Sequence, residues 1–471
     1  MSSIATPDLS LSSPISYTSS AIVYLLASVL MLWVVYYRLT RKRLYQLAAQ
    51  IPGPKGFPLI GHAHLFVGNS NSIFENVYKR TFDFKPSSPL KFWVGNRLIV
   101  FLFDPRDIEV ILGSHVHINK SPEYRLFEPW LGNGLLISTG EKWRAHRKLI
   151  APTFHLNVLK TFIDLFNKNS LDTVRKMGME GSKEFDVHNY MSECTVDILL
   201  ETVMGVNKQV QQAGFDYAKA VMKMCDILHL RQTKAWLKPD LLFKITKSAK
   251  DQVKLLDFIH RLTNDVIKKK KEEVLLRRKN TTTGTNTSIE MDETYNENKE
   301  GQDMVVKTEP MTTYVSVEGS SYGQSAGLKD DLDVDDNDDD VGDAPLSRAD
   351  CDKVVEELQG IFGDSDRPVT FQDTLQLKYM ERCIMETLRM YPPVPIIARE
   401  LQEEVKLKSS DLICQPNAQL SSGTVKLHRN PEYFQTQMSS NPDNFLPENT
   451  SNRHLLRICA IQRWTEKLRR S

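Results

Sequence analysis

The most informative segment of the chain reads Met380-Glu-Arg-Cys-Ile-Met-Glu-Thr-Leu-Arg-Met-Tyr-Pro-Pro-Val-Pro-Ile-Ile-Ala-Arg-Glu400. Its apolar residues recur at the spacing of one helical face, at Met380, Ile384 and Leu388. Glu386 and Arg389 are three residues apart and so share a face, and the prolines that follow end the helix. Such a pair on an exposed helix contributes little stability, so its meaning depends on the rest of the chain.

A second informative pair is Trp143 and Arg147, in the segment 134–150. Residues four apart lie on one face of a helix, so these two side chains are expected to be neighbours. A guanidinium forms charge-assisted hydrogen bonds to a carboxylate, and an indole N–H adds a donor, so the pair can hold a carboxylate group. A surface cation–π contact is the alternative interpretation of the same spacing.

Three segments together resemble the cytochrome P-450 monooxygenases. The segment 380–400 resembles helix K and the strand after it, and the segment 134–150 resembles helix C. The stretch Ile51-Pro-Gly-Pro-Lys-Gly-Phe-Pro-Leu-Ile-Gly-His62 resembles the proline-rich hinge of the microsomal members. The resemblance implies a mainly α fold with small β-sheets. It also implies heme as the cofactor and NADPH as the electron source, through NADPH-cytochrome reductase as partner.

The resemblance also implies roles for individual residues. Trp143, Arg147 and Arg399 would bind the haem propionates, whereas Glu386 and Arg389 would form a structural pair. No residue is assigned as catalytic or as a metal ligand. In the family, the basic face of helix C meets the flavoprotein that delivers electrons, and here that face carries Arg144, His146 and Lys148. An ordinary solvated helical face explains these charges equally well.

Two further segments resemble family 4 and its insect subfamily G. They are Ile361-Phe-Gly-Asp-Ser-Asp-Arg-Pro368 and Val394-Pro-Ile-Ile-Ala-Arg399. Residues 280–345 form a polar and then strongly acidic tract, which we interpret as a disordered surface insertion of the kind found in that subfamily. The resemblance implies a lipid-like small-molecule substrate: long-chain aliphatic fatty acids or aldehydes, with oxidative decarbonylation to hydrocarbons as the subfamily's reaction.

The N-terminal region contains a candidate membrane anchor. Residues 21–37 carry no charge and are followed by a basic flank that begins at Arg38. This run reaches the short end of a membrane span, and the basic flank is expected in the cytoplasm. A cleaved signal peptide would carry positive charge before the apolar run, yet residues 1–20 contain only Asp8 as a charged residue. We therefore expect a signal anchor in the endoplasmic reticulum membrane, with the bulk of the chain cytoplasmic. A buried core helix is the alternative.

These observations divide the chain into six parts. In chain order, we expect a lumenal terminus (1–20), a transmembrane signal anchor (21–37), a basic and proline-rich hinge (38–62), a P-450-like N-terminal part (63–279), the disordered acidic insertion (280–345) and a truncated P-450-like C-terminal part (346–471).

The chain departs from the family pattern in the second half. Only nine residues separate Gly342 from Asp352, where helix J begins, so helix I and its proton-relay residues are expected to be missing. The segment 409–423 is polar where the family has short strands. Asn449 stands where the family has an arginine that contacts the helix K pair, so Glu386 is expected to lose a donor.

The haem-ligand loop is the last departure. In the family a cysteine thiolate binds iron from a glycine-containing loop. No glycine follows Gly423, and the late cysteine, Cys459, is therefore expected not to bind iron. We therefore expect a P-450 fold that is partly incomplete, because helix I and the haem-ligand loop are missing. An inactive or mis-predicted fragment that lacks the haem ligand is the alternative to an active monooxygenase.

Composition excludes other classes of protein. The net charge of +1 gives no overall excess for neutralising phosphates, and the basic run 268–279 has no interleaved aromatic residues, so we expect no nucleic-acid partner. The six cysteines show no zinc-type spacing.

Several local features have definite structural expectations. Residues 90–103 should form a hairpin, and residues 190–205 a buried helix. The basic run near 268 should end the preceding helix. Met222, Met224 and Leu228 should lie in the core, and the lining of a lipid-like pocket is the alternative for them. The pair His62 and His64 should be structural, and Asp373 should not relay protons.

Overall fold

The fold is known from a computed structural model, which describes residues 14–68, 70–205, 211–283, 346–434 and 436–450. Most of the predicted lumenal terminus, most of the acidic insertion and Cys459 lie outside the described residues. The described chain is mainly helical and contains two small β-sheets. This architecture confirms the fold class expected from the sequence.

The helices of the described residues are α1 (Pro14–Thr40), α2 (Lys42–Gln50), α3 (Ser70–Phe82), α4 (Pro105–Leu112), α5 (Glu128–Leu131), α6 (Gly140–Ile150), α7 (Leu156–Lys160), α8 (Ile163–Gly178), α9 (Val187–Thr202), α10 (Gln211–Thr233), α11 (Asp240–Lys244), α12 (Lys247–Thr283), α13 (Arg348–Phe362), α14 (Phe371–Gln376), α15 (Lys378–Met390), α16 (Thr424–His428) and α17 (Pro447–Thr450). The strands are β1 (Leu90–Val94), β2 (Arg97–Leu102), β3 (Ile396–Glu400), β4 (Val405–Lys406), β5 (Ile413–Cys414) and β6 (Gln419–Gly423).

The apolar part of α1 is long enough to cross a membrane. The window Ala21–Thr40 has a mean hydropathy of 1.9, and none of it is buried against the rest of the chain. The next helix, α2, is different, because Ala48 and Ile51 beside it are buried in the main core cluster around the larger sheet. The length and composition of α1 are therefore compatible with an anchor. In contrast, α2 packs against the core cluster of the larger sheet.

The larger sheet has the strand order β1-β2-β6-β3. The expected hairpin is confirmed: β1 and β2 pair antiparallel, and Val94 lies opposite Arg97 across the turn Gly95-Asn96. Gly95 has φ +59, a left-handed conformation that glycine adopts without strain. In the middle of the sheet, β6 runs parallel to β2 and antiparallel to β3.

The polar segment 409–423 supplies β5 to the smaller sheet and β6 to the larger one, so the expectation that it departs from the family's strands is wrong. It contains β5 and β6, and all five residues of β6 are buried although it reads Gln-Leu-Ser-Ser-Gly. Small hydroxyl side chains suit a strand whose backbone pairs on both edges. In the turn before β6, Asn417 takes φ +63, and Ala418 N–H donates to Gln415 O at 3.1 Å. Asparagine tolerates this left-handed position in place of glycine.

Two helical expectations need correction. The segment 190–205 does form a helix, α9, which packs on α8 and α10, but Leu199 and Val203 are exposed, so it is not buried. Second, α12 does not end at the basic run: it continues through Lys268–Lys271 to Thr283. The core assignment is confirmed for Met224 and Leu228, which are buried together in one cluster, whereas Met222 is only partly buried.

The helix of the 380–400 segment is α15, and α13 packs against it. Both carboxylate oxygens of Glu357 on α13 accept backbone N–H groups at the start of α15, from Tyr379 at 2.7 Å and Met380 at 2.9 Å. An apolar cavity of about 450 Å³ lies along these two helices. Ile384 and Val355 remain about half exposed there. Within the described ranges no helix covers this cavity, and the expected loss of helix I stays a prediction, because residues 284–345 are not described.

Candidate functional site

Glu386 and Arg389 form a fully buried ion pair on α15, unlike the exposed pair that their spacing most often gives. Both side chains have no solvent exposure. Arg389 Nε donates to Glu386 Oε2 and Arg389 Nη2 donates to Glu386 Oε1, each at 2.7 Å. This bidentate geometry is the strong form of an arginine–carboxylate contact.

Arg389 also donates to backbone carbonyls at the end of α16 and in the segment after it. Nη1 donates to His428 O and Gln437 O, and Nη2 donates to Ser439 O, all at 3.0 Å. The guanidinium also lies over the Phe434 ring, 4.9 Å from its centroid. One side chain therefore connects α15 to the loop 428–439, and the predicted structural role of the pair is supported by these contacts.

Glu386 does not lack donors, contrary to the expectation based on Asn449. Asn441 N–H donates to Glu386 Oε1 at 2.7 Å, and the Asn444 side-chain amide donates to the same oxygen at 3.2 Å. Asn449 instead donates to Asp443 O at 2.8 Å, on the exposed side. The buried carboxylate of Glu386 thus receives two hydrogen bonds from the 441–444 turn. They take the place of the contact that an arginine at position 449 was expected to make.

Replacing Asn444 with alanine is expected to destabilise the chain by about 1–3 kcal/mol, because the buried carboxylate of Glu386 loses a hydrogen-bond donor. The measurement is chemical denaturation of the full chain in detergent. Asn449→Ala is the matched control, with an expected change of about 0.5 kcal/mol or less, since its amide contact is exposed. Equal effects of the two substitutions would contradict this assignment.

The predicted cofactor-binding residues come together beside the larger sheet. Trp143 and Arg147 lie on one face of α6, with Arg147 Cζ 5.4 Å from the centroid of the Trp143 ring. Arg399 lies on β3, and Lys120 forms an isolated antiparallel bridge with it. Lys120 Nζ lies 5.4 Å from the same Trp143 ring. The site therefore contains one tryptophan and three cations, of which the sequence interpretation named all except Lys120.

The electrostatics of this cluster favour an anion. Arg399 Nη1 is buried and has no hydrogen-bond partner, which is costly for a charged group. Burial, followed by the charges of Arg399 and Arg147, lowers the pKa of Lys120 to about 8. Burial also lowers the pKa of Arg399. Three cations with an orphaned donor fit the two carboxylates of a haem, so the donor set suits the propionate side of that group.

Three of the described cysteines have thiol pKa values that burial raises. Burial raises the pKa of Cys383 to about 11 and that of Cys414 to about 12, and it also raises the pKa of Cys225. These thiols are therefore expected to be neutral near neutral pH in the chain without a bound metal. Cys459 lies outside the described residues, so its expected failure to bind iron stays a prediction.

Asp373 has a structural role, as expected. It forms a capping box with Thr370 at the start of α14, and it accepts hydrogen bonds from Arg367. The Arg367 guanidinium, with Thr370, holds the pKa of this carboxyl well below its ordinary value. Asp373 therefore stays ionised and cannot pass protons near neutral pH.

His62 is also structural. Trp93 N–H donates to His62 Nδ1 at 2.8 Å, so His62 Nε2 carries the proton and donates to Pro54 O at 2.9 Å. The imidazole thereby joins the proline-rich segment to β1.

Sequence reasoning missed Lys120 and the asparagines that contact Glu386. Lys120 reaches the cluster because its backbone bridges to Arg399, a contact between segments far apart in the chain. No spacing rule marks such a residue, since helical patterns report only neighbours within about one turn.

The sequence is similar to known proteins over most of its length. The protein-family model described as "Cytochrome P450" matches residues 51–316 and 351–458. The chain is similar to cytochrome P450 4g15 of Drosophila melanogaster, with 45% identity over 95% of this chain and 87% of that protein. It is also similar to cytochrome P450 4g1 of the same species, with 37% identity over 88% of this chain and 78% of that protein. Human cytochrome P450 4V2 is 31% identical over 85% of this chain and 76% of that protein.

Proposed function

Because the chain belongs to the cytochrome P450 family, and is a monooxygenase of the family 4 type, we propose that its substrates are long-chain aliphatic fatty acids or aldehydes. Oxidative decarbonylation of aldehydes to hydrocarbons is the reaction that the resemblance to subfamily G favours. The family brings haem as cofactor and an NADPH-dependent reductase as partner. When bound, haem supplies the oxygen-activating chemistry.

One observation supports a haem site in this chain: the unpaired, buried Nη1 of Arg399 lies in a cationic cluster with Arg147, beside Trp143. These residues would hold and orient the haem through its propionates. Glu386 and Arg389 would not contact the haem, and their role would be structural: Arg389 fixes α15 to the loop 428–439. The role of the chain's own residues is therefore binding and orientation.

We further propose that the chain lies in the endoplasmic reticulum membrane with its bulk in the cytoplasm. The apolar window Ala21–Thr40 supports an anchor, and the basic flank after it supports the orientation. The exposed side chains of Arg144 and Lys148 on α6 support a docking face for the acidic reductase, although Arg144 also pairs with Glu141.

The test of the substrate class is turnover by membranes that contain the full chain and a P450 reductase. We expect NADPH-dependent conversion of a saturated long-chain aldehyde or fatty acid, with little conversion of a short-chain analogue because it buries less apolar surface. Equal turnover of both chain lengths, or turnover without NADPH, would contradict the proposal.

The second candidate is a chain that holds haem without a thiolate ligand and has no monooxygenase activity. The observation that favours it is that no glycine follows Gly423 in the sequence, although the family's thiolate loop needs glycines for its turns. The difference spectrum of the reduced chain with carbon monoxide separates the two candidates. A Soret band at the thiolate position supports the monooxygenase, and a band at the position of haem without thiolate supports the second candidate.

A further inference from the structure

The apolar cavity along α13 and α15 contains two thiols. Cys351 lines it from α13 and Cys383 lines it from α15, among side chains that are mainly aliphatic. Cys351 is exposed, whereas Cys383 is buried, with only 3% of its surface accessible. The cavity therefore brings together one thiol that solvent reaches and one that it does not reach.

Contacts between the two helices hold them together at the level of these cysteines. The hydroxyl of Tyr379 on α15 donates to Asp350 Oδ1 on α13 at 2.6 Å. Asp350 directly precedes Cys351, and Tyr379 lies four residues before Cys383, on the same face of α15. Lys353 Nζ, also on α13, lies 5.3 Å from the centroid of the Tyr379 ring. The first turn of α13 is thus fixed beside the turn of α15 that carries the second thiol.

The two thiols also interact electrostatically. Burial, followed by the negative charge of Asp350, raises the pKa of Cys383 to about 11. The nearby groups Cys351 and Glu357 on α13 add to this rise, and Arg382 on α15 opposes it. An interaction between charges weakens with distance, so the effect of Cys351 indicates that the two sulfur atoms lie in one neighbourhood.

We propose that Cys351 and Cys383 form an oxidative modification site, at which a low-molecular-weight disulfide such as oxidised glutathione converts the two thiols into a disulfide that links α13 to α15. The inference is independent of haem and of the proposed function. Disulfides in reducing compartments are typically transient and redox-sensing, so an excess of reduced glutathione is expected to reverse the reaction.

The reaction balances in two thiol–disulfide exchanges. The thiolate of Cys351 first attacks one sulfur of oxidised glutathione, whose S–S bond breaks, and one glutathione leaves. The thiolate of Cys383 then attacks Cys351 Sγ in the mixed disulfide, and the second glutathione leaves. The two protein thiols lose two electrons and two protons, and two molecules of reduced glutathione carry them away.

The buried thiol makes the second exchange the slow one. The thiolate is the nucleophile, and a pKa of about 11 leaves Cys383 almost entirely protonated near neutral pH. Below that pKa, the thiolate fraction increases with pH. The conversion of the mixed disulfide on Cys351 into the linked form should therefore accelerate about tenfold for each unit of pH above neutrality.

The experiment treats the full chain in detergent with oxidised glutathione, blocks the remaining thiols by alkylation and maps the disulfides by mass spectrometry. Trypsin should release the two cysteines on separate short peptides, 349–353 and 383–389. The wild type is compared with Cys351→Ser, Cys383→Ser and Cys225→Ser. Cys225 is an exposed cysteine of α10 and serves as the matched control. The wild type unfolded in guanidinium shows which pairs form without the fold.

We expect the linked peptide pair to be the main disulfide of the folded wild type and of Cys225→Ser, and a minor product of the unfolded chain. Cys383→Ser should stop at the mixed disulfide on Cys351. Cys351→Ser should leave Cys383 unmodified, because glutathione does not reach the buried thiol. Oxidation should also raise the denaturation midpoint of the wild type, but not that of either of these two variants.

Three results would overturn the proposal. The first is a folded wild type that keeps the mixed disulfide on Cys351 or links either cysteine mainly to a different one. The second is a yield of the linked pair that is no higher in the folded chain than in the unfolded chain. The third is a conversion rate that does not increase with pH, since Cys383 would then not be the attacking thiol.

Discussion

Replacing Arg389 with alanine is expected to cost about 3–5 kcal/mol of folding free energy, because the Glu386 carboxylate is left buried without its main partner. Three backbone carbonyls in the loop 428–439 also lose their donors. Since domains are stable by only about 5–15 kcal/mol, the full chain should express mainly as unfolded or aggregated protein. The measurement is the yield of folded chain and its denaturation midpoint in detergent.

The matched control for this prediction is Arg175→Ala. Arg175 and Asp172 are also three residues apart on a helix, but the Arg175 side chain is largely exposed. We expect a change of about 0.5 kcal/mol or less there. Arg389→Lys should also fail, since an ammonium cannot make the bidentate contact together with the three carbonyl contacts. A folded Arg389→Ala chain with a near-normal midpoint would contradict the role assigned to the pair.

Replacing Arg399 or Arg147 with methionine is expected to speed haem loss by about ten- to a hundredfold. Each guanidinium would donate charge-assisted hydrogen bonds to a propionate, and such bonds contribute about 1.5–3 kcal/mol. Methionine keeps much of the apolar stem of arginine, so packing changes little. The measurement is the rate of haem transfer from the full chain to an excess of a high-affinity haem acceptor.

Arg144→Met is the control for haem loss. Arg144 lies on the same helix but contacts Glu141 and His115 O, outside the cluster. Its haem loss should equal that of the wild type, while reduction by the reductase should slow, because α6 is the proposed docking face. Equal haem loss from Arg144→Met and Arg399→Met would show that the cluster does not hold the propionates.

The sequence predicted those parts of the site that depend on spacing within one element. Trp143 and Arg147, and Glu386 and Arg389, are neighbours on single helices, and a 3.6-residue period reports such pairs directly. The period cannot report burial, so the same Glu/Arg spacing fitted both an exposed pair and the fully buried one that the structure contains. Burial arises from the loop 428–439, which reaches α15 only in the folded chain.

Contacts between distant segments were beyond sequence reasoning. The polar segment 409–423 was expected to depart from the family's strands, yet β6 is central because its backbone pairs with β2 and β3 on both sides. Similarly, Asn444 donates to Glu386, which was expected to lack a donor, and Lys120 reaches Arg399 through a strand bridge. In each case backbone pairing or a turn places the residue beside its partner, and the type of side chain does not predict that contact.

The most direct test is the haem content of the full chain, purified in detergent from cells supplied with haem. The cluster of Lys120, Arg147 and Arg399 is predicted to retain haem in a near-equimolar ratio to the protein. A chain that is folded and monodisperse but contains no haem would contradict the assignment of this site.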